Sequence, residues 1–264
     1  MRLVRFLVED QIRYGIVEGD RVRELLRPFF DGLAPMKTTY PLGEVALLAP
    51  TRPSKMLCVG LNYRDHAAEM GQPIPDEPVL FMKPPTALAG HRQPIVYPAM
   101  AARVDYEAEL AVVVGRRCRS VPVEEAQRCI LGYTCFNDVT ARDLQAKDGQ
   151  WTRAKGFDTF GVMGPWIETD PGDTGRLAVT SRLNGQVRQQ SGTDQLIFDC
   201  RYLVSWASRI MTLEAGDVIA TGTPAGIGPM QPGDRIEVEV EGIGVLANEV
   251  VSEPPKGSAP ARVA

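Results

Sequence analysis

The 264-residue sequence predicts a mixed, β-rich fold with a few helices and a small N-terminal subdomain. Three observations carry that reading. Short runs of alternating apolar and polar residues recur along the whole chain, the period-two signature of strands with one buried face. Turn signals separate them, and 25 glycines with 21 prolines exceed average usage. Helical periodicity is confined to a few segments, the clearest carrying Tyr202, Leu203, Trp206, Ile210 and Met211.

In chain order, residues 3–8 and 12–17 read as strands, and Glu18-Gly19-Asp20 turns the chain towards Val22. Residues 23–50 are less regular and end at Ala49-Pro50-Thr51-Arg52-Pro53. That break divides the chain into an N-terminal subdomain (1–50), a main domain (51–251) and a flexible, proline-rich tail (252–264). Residues 56–59 form a short buried strand ending at Gly60, and Asn62 is placed to cap a helix that stops at Gly71. Residues 79–82 and 107–114 are strands, and Pro122 opens a helix running to Gly132. Residues 177–183 and 186–188 form a hairpin across Asn184-Gly185, the pair preferred in type I′ turns. A helix over 199–213 stops at Gly216, and strands at 217–220, 235–240 and 245–251 complete the sheet.

The net charge of -4 comes from 29 basic and 33 acidic residues mixed along the chain, without the clustered basic face that nucleic-acid binding requires. No apolar run approaches the roughly 20 residues that span a bilayer. Glu9 and Asp10 come too early for a signal peptide. The five cysteines are irregularly spaced among apolar neighbours and read as buried free thiols of a reducing compartment, not as a disulfide frame or zinc site. The expectation is a soluble, cytoplasmic protein with no nucleic-acid or membrane partner.

Glu107 and Glu109 alternate with apolar residues, so a strand puts both on one face; Asp138 follows in another apolar stretch. Adjacent carboxylates are costly to bury unless a cation or proton compensates them. Three converging ones, without clustered Cys or His, suit a hard ion: Mg2+ or Mn2+, with Ca2+ as an alternative. On spacing alone, a solvated strand face accounts for Glu107 and Glu109 equally well. His66 precedes Glu69 by one helical turn, which would set a carboxylate against the imidazole as a general base needs; a surface ion pair is the bland alternative. His91, in Ala89-Gly90-His91-Arg92, reads as an exposed loop residue. The glycine-rich segment 221–228 carries Pro224 and the wrong spacing for a dinucleotide loop, so it offers backbone N–H groups and the Thr223 hydroxyl instead. Residues 70–76, with Gly71, Pro73 and Pro75, read as a lid.

Several motifs occur together in order: Gly60-x-Asn62-Tyr63-x-Asp65-His66, Glu77-Pro78-x-x-Phe81-x-Lys83-Pro84, Glu107-x-Glu109, Asp138-x-Thr140-x-Arg142-Asp143-x-Gln145, Lys155-x-Phe157-Asp158 and Thr221-Gly222-Thr223-Pro224. On them the chain resembles the short, bacterial-type branch of the fumarylacetoacetate hydrolase (FAH) superfamily, from about residue 55 to 250. The resemblance implies an FAH-type β-roll catalytic domain, usually a homodimer. It makes Glu107, Glu109 and Asp138 the metal ligands, His66 with Glu69 the base dyad, and Lys155 a cationic partner of the substrate. Arg142, Gln145 and Thr223 would line the pocket, and Arg64, Arg142 or Arg153 would meet a second, distal carboxylate. In the long eukaryotic hydrolase the acid beside the histidine comes from elsewhere in the chain; Glu69 takes that place as in the short relatives.

The implied activity is that of a metal-dependent enzyme on a 2-oxo, 2,4-dioxo or enol carboxylic acid, through a metal-bound enolate. The outcome would be C–C hydrolysis, decarboxylation or isomerisation. Segments 155–161 and 164–166 look most like 2-hydroxyhepta-2,4-diene-1,7-dioate isomerases and related tricarboxylate decarboxylases of aromatic catabolism. Acylpyruvate or diketo-sugar-acid hydrolysis and oxaloacetate decarboxylation are the alternatives. A Schiff-base lyase using Lys155 would need the strand–helix alternation of a (β/α)8 barrel, which this chain lacks. A non-catalytic metal-binding protein would require neither the His66–Glu69 pair nor Lys155.

Overall fold

In the computed structural model, which describes residues 1–254, the chain begins as an antiparallel meander: β1 (Arg2–Val8), β2 (Gln11–Glu18), β3 (Arg21–Leu25) and β4 (Pro35–Pro41). The last of these lies in the stretch expected to be irregular. It is the sheet's edge strand, where prolines cost no ladder hydrogen bond. A short β5 (Ala46–Leu47) returns to β1. On its other side β1 pairs with residues 167–168 of the main domain, so the N-terminal strands extend the main sheet.

Next come β6 (Met56–Gly60), α1 (Arg64–Glu69), β7 (Val79–Lys83), β8 (Leu88–Ala89) and β9 (Ile95–Tyr97). Gly71, at φ 61°, follows α1 as a stop. Asn62 is not its cap. Its buried amide donates to Phe198 O (3.0 Å) and Thr221 O (2.7 Å) and accepts from Phe198 N (2.8 Å), stitching together segments that no local motif relates.

The strands β10 (Val104–Tyr106) and β11 (Ala108–Val114) follow one another with a break at Glu107. Pro122 does open α2 (Val123–Ala126), but the helical turns end by residue 129, and residues 130–132 belong to β12 (Ile130–Asp138). Gly132 is therefore no helix stop. A Cβ there would lie 2.5 Å from Glu168 O, so glycine is what lets the neighbouring strand approach. After β13 (Thr140–Ala141) come α3 (Arg142–Asp148) and α4 (Thr152–Lys155), too short to show periodicity in sequence.

The chain continues through β14 (Gly161–Glu168), β15 (Ala178–Leu183) and β16 (Gln186–Gly192). Asn184 (φ 52°) and Gly185 (φ 78°) supply the two positive φ values of the expected type I′ turn. The helix α5 (Cys200–Ile210) is capped by Asp199, whose Oδ1 accepts the Tyr202 N–H at 2.8 Å. It ends well before Gly216, because Leu213 leaves the helix to pair with Cys118. The last strands are β17 (Val218–Ala220), β18 (Gly228–Met230), β19 (Arg235–Val240) and β20 (Gly244–Ser252). Ser252, expected to begin the tail, still belongs to β20, and the Glu253 N–H bonds Tyr97 O; residues 255–264 of that tail lie outside the described residues.

Among the described residues the strands form three sheets. The largest runs β4-β3-β2-β1-β14-β12-β11-β17-β6-β7, with β5 and β8 at its side; the others are β13-β10-β18 and β16-β15-β19-β20-β9. All of β11 is buried: Leu110 and Val112 join the core that includes Val179, Val238 and Leu246, whereas Ala111 and Val113 pack with Met163 and Val218. That two-sided burial is why residues 110–114 form an unbroken apolar run. Two chain segments change sheets at the same place, β10 to β11 across Glu107 and β12 to β13 across Val139. The candidate functional residues gather at this corner.

Candidate metal centre and catalytic cavity

Glu107, Glu109 and Asp138 each offer an oxygen within 4.8 Å of the others, and all three are buried. The sheet change explains the convergence. Glu107 sits in the break between β10 and β11, and its carbonyl accepts the Asp138 N–H at 2.9 Å, fixing the two segments in register. Glu109 is inside β11 on the same face.

Each acid is braced. Arg142 donates to Glu107 Oε1 (2.5 Å), to Asp105 Oδ2 (3.0 Å) and to Gln145 Oε1 (2.6 Å). The Gly222 N–H donates to Glu109 Oε2 at 2.8 Å. Lys83 Nζ lies 2.6 Å from Asp138 Oδ1. Lys155 Nζ bridges the remaining oxygens, at 2.8 Å from Glu107 Oε2 and 2.7 Å from Asp138 Oδ2.

These contacts set the charge states. Burial alone would raise the pKa of Glu107, but Lys155 and Arg142 outweigh it and hold the group down at about 2. Glu109 is pushed well above the ordinary carboxylate range, first by burial and then by the charges of Asp138 and Glu107. Burial opposes the charge on Lys155, yet Asp138 and Glu107 more than offset it and the ammonium is stabilised. The donor set is all oxygen, already draws in one buried cation, and leaves Glu109 short of positive charge. It fits a hard divalent ion.

The acids line a cavity of about 180 Å³ together with His66, Met70, Gln72, Phe81, Arg142, Gln145, Trp151, Lys155 and Thr223. His66 Nδ1 is 2.9 Å from Glu69 Oε2, and Glu69 Oε1 accepts the Gly226 N–H at 3.0 Å. With Nδ1 donating to that carboxylate, Nε2 is the basic nitrogen of the neutral ring.

The structure thus brings nine of the eleven residues singled out from sequence into one neighbourhood: the triad, His66 with Glu69, Lys155, Arg142, Gln145 and Thr223. Arg153 lies outside the cavity lining and donates to Asp148 Oδ2 at 2.8 Å. Arg64 stays apart from the cavity lining, donating to Leu196 O at 2.7 Å. Two of the nine are engaged in ways the sequence did not indicate. Arg142 is spent on Asp105, Glu107 and Gln145, and the Thr223 hydroxyl donates to Ala108 O while accepting from Gln189. His91 is not an exposed loop residue. Its Nδ1 accepts the Ala247 N–H at 3.1 Å, and burial followed by the nearby Arg92 charge lowers its pKa to about 4. Asp105, Trp151 and Lys83 carried no assigned role; a lysine inside the apolar strand segment 79–83 was the signal available for the last.

Comparisons with known proteins bear on the family of the chain. Residues 55–251 match the family model described as "Fumarylacetoacetate (FAA) hydrolase C-terminal", and residues 1–50 match "Rv2993c-like, N-terminal". An uncharacterized protein of Archaeoglobus fulgidus is 56% identical, covering 94% of this chain and 96% of its own. A bovine mitochondrial protein named oxaloacetate tautomerase FAHD2A is 41% identical over 83% of this chain and 74% of its own. The solved structure of a Mycobacterium smegmatis 5-carboxymethyl-2-hydroxymuconate delta-isomerase is 47% identical with a TM-score of 0.90, covering 96% of this chain and all (100%) of the other. That of maleylpyruvate hydrolase from Sphingobium sp. SYK-6, in complex with manganese(II) and pyruvate, is 32% identical with a TM-score of 0.81 over 96% and 100% of the two chains. The chain belongs to the fumarylacetoacetate hydrolase family and is an enzyme.

Proposed function

We propose that this family member is a Mg2+- or Mn2+-dependent enzyme that moves a proton on a small 2-oxo acid, interconverting keto and enol forms or double-bond isomers. The observation that carries the reading is the meeting of the His66–Glu69 pair with three buried carboxylates in one small cavity. A space of about 180 Å³ lies below the range of drug-sized pockets and suits a short acid. Its names among relatives, an isomerase and a tautomerase, are those of enzymes that shift a proton. The manganese and pyruvate in the maleylpyruvate hydrolase complex support the choice of ion and of a 2-oxo acid.

Glu107, Glu109 and Asp138 would hold the ion, which when bound polarises the oxygens of the 2-oxo acid as a Lewis acid. His66 Nε2 takes the proton from the carbon beside the 2-oxo group and returns it at a second position. Glu69 holds the tautomer and stabilises the imidazolium in between. The Lys155 ammonium and the Gln145 amide N–H groups offset negative charge developing on the substrate oxygen. Residues 70–76, which place Met70 and Gln72 on the cavity wall, would order over the bound acid.

The second reading is C–C hydrolysis, favoured by the maleylpyruvate hydrolase neighbour; there the same His66 would activate water. The test is an activity panel of oxaloacetate, a heptadienedioate and 2,4-dioxo acids with Mg2+ and Mn2+, before and after exhaustive chelation. Proton exchange at the carbon beside the 2-oxo group without cleavage is expected. Cleavage of dioxo acids as the faster reaction would replace this reading by hydrolysis, and full activity after chelation would remove the metal from it.

A further inference from the structure

We infer that Lys83, a residue to which no role has been assigned, is a positioning residue that makes Asp138 a one-oxygen ligand and thereby selects a small, octahedral ion over calcium. The inference rests on the metal-centre reading proposed above. Lys83 is fully enclosed at the end of the edge strand β7. Its Nζ donates to Val139 O (3.0 Å) and Lys155 O (2.7 Å), and it forms an ion pair with Asp138 Oδ1 (2.6 Å), an oxygen that accepts no hydrogen bond among the described residues. One side chain thus ties together a metal-ligand candidate, the backbone where β12 changes sheets, and the main chain of the neighbouring lysine.

The same arrangement holds around the triad. Arg142 donates to Glu107 Oε1, the Gly222 N–H donates to Glu109 Oε2, and the Lys83 ammonium is ion-paired with Asp138 Oδ1. The oxygens left over are Glu107 Oε2, Glu109 Oε1 and Asp138 Oδ2. The Lys155 ammonium lies against two of these, Glu107 Oε2 and Asp138 Oδ2, at the position a cation would take. Three acids each presenting one oxygen would supply three ligands to an ion and leave its remaining positions to water or substrate. Mg2+ demands near-ideal octahedral geometry and keeps several waters, whereas Ca2+ takes six to eight oxygens and readily accepts bidentate carboxylates. Freed from Lys83, Asp138 could turn both oxygens to the ion.

Affinity alone would not isolate this effect, since removing a buried cation also changes the local charge. Mg2+ and Ca2+ carry the same charge, so the ratio of their affinities cancels that term and reports positioning. The experiment is calorimetric titration of the wild-type protein and of Lys83→Met with MgCl2 and CaCl2, with circular dichroism as the check of folding. The calcium-to-magnesium affinity ratio is expected to rise about tenfold in the variant, on the scale of other changes to groups that orient metal ligands. An unchanged ratio in a folded variant overturns the inference and leaves the metal centre standing, whereas a wild-type protein that binds neither ion overturns both. Should Lys83→Met not fold, infrared difference spectra of the wild-type protein decide. Mg2+ should widen the separation of the antisymmetric and symmetric carboxylate stretches, as one-oxygen coordination does, and a narrowed separation overturns the inference.

Discussion

Buried Asp217 and the buried acids Glu107, Glu109 and Asp138 are built on opposite plans. Asp217 is wholly enclosed and fully satisfied: Oδ1 accepts from Ser54 N (3.0 Å), Ser54 Oγ (2.7 Å) and Lys55 N (3.2 Å), and Oδ2 from Glu214 N (2.8 Å) and Lys55 Nζ. Glu107 and Glu109 each accept a fixed donor on one oxygen, Asp138 Oδ1 has only the Lys83 ion pair and no hydrogen bond among the described residues, and Lys155 bonds Glu107 Oε2 and Asp138 Oδ2. The difference separates structure from function. An acid whose lone pairs are filled by fixed donors holds the chain in place; one that keeps an oxygen for something else is built to bind.

The largest effect should come from breaking the closed group. Asp217→Ala leaves the N–H groups of Ser54, Lys55 and Glu214 and the Lys55 ammonium without their acceptor, and urea unfolding should show a loss of about 3–5 kcal/mol. Glu109→Gln should do the reverse. It removes a carboxylate that burial and its neighbours already strain, so the melting temperature should hold or rise, while titration shows Mg2+ affinity reduced more than about 100-fold, beyond the usual cost of altering an outer-shell group. Gly222→Ala tests the brace on Glu109. At φ 98°, and with a new Cβ 2.9 Å from Asn62 Cβ, the loop must shift, and Mg2+ affinity should fall about tenfold.

The pH response sharpens the contrast further. The raised pKa of Glu109 means the metal-free protein gains stability from its protonated form, present below the ordinary value of 4.5 and lost as pH rises through the folded-state value. An ion must displace that proton, so the melting-temperature gain produced by Mg2+ should grow as pH rises through the same window. Glu107, held down at about 2, adds nothing there. A pH-independent gain would contradict the assignment. The smallest effect belongs to His91. Its depressed pKa implies stability present above its ordinary 6.5 and lost as pH falls towards about 4, and His91→Asn should flatten that part of the acid-unfolding curve.

Much of the fold was legible because local chemistry repeats. The Asn184-Gly185 hairpin, the Asp199-capped helix and the alternating strands follow from turn preference, capping and period. Failures came where a residue serves a distant partner. Gly132 reads as a helix stop but makes room for Glu168 O, and Asn62 reads as a cap but bonds Phe198 and Thr221. His91 looks exposed among loop residues, yet β20 covers it.

For the site, the residue types determined most of what could be known in advance: Glu-x-Glu on a strand, a third acid, a histidine one turn from a glutamate, and motifs in a specific order. Those are properties of spacing and chemistry, and they carry the family and the candidate ligands. Only the tertiary structure decided which oxygen of each acid stays open, and it did so through groups remote in sequence: Arg142, Gly222, Lys83 and Lys155. The physical reason is that period and propensity act over one or two turns, whereas the charge balance of a buried cluster is a sum over whatever the sheets bring together.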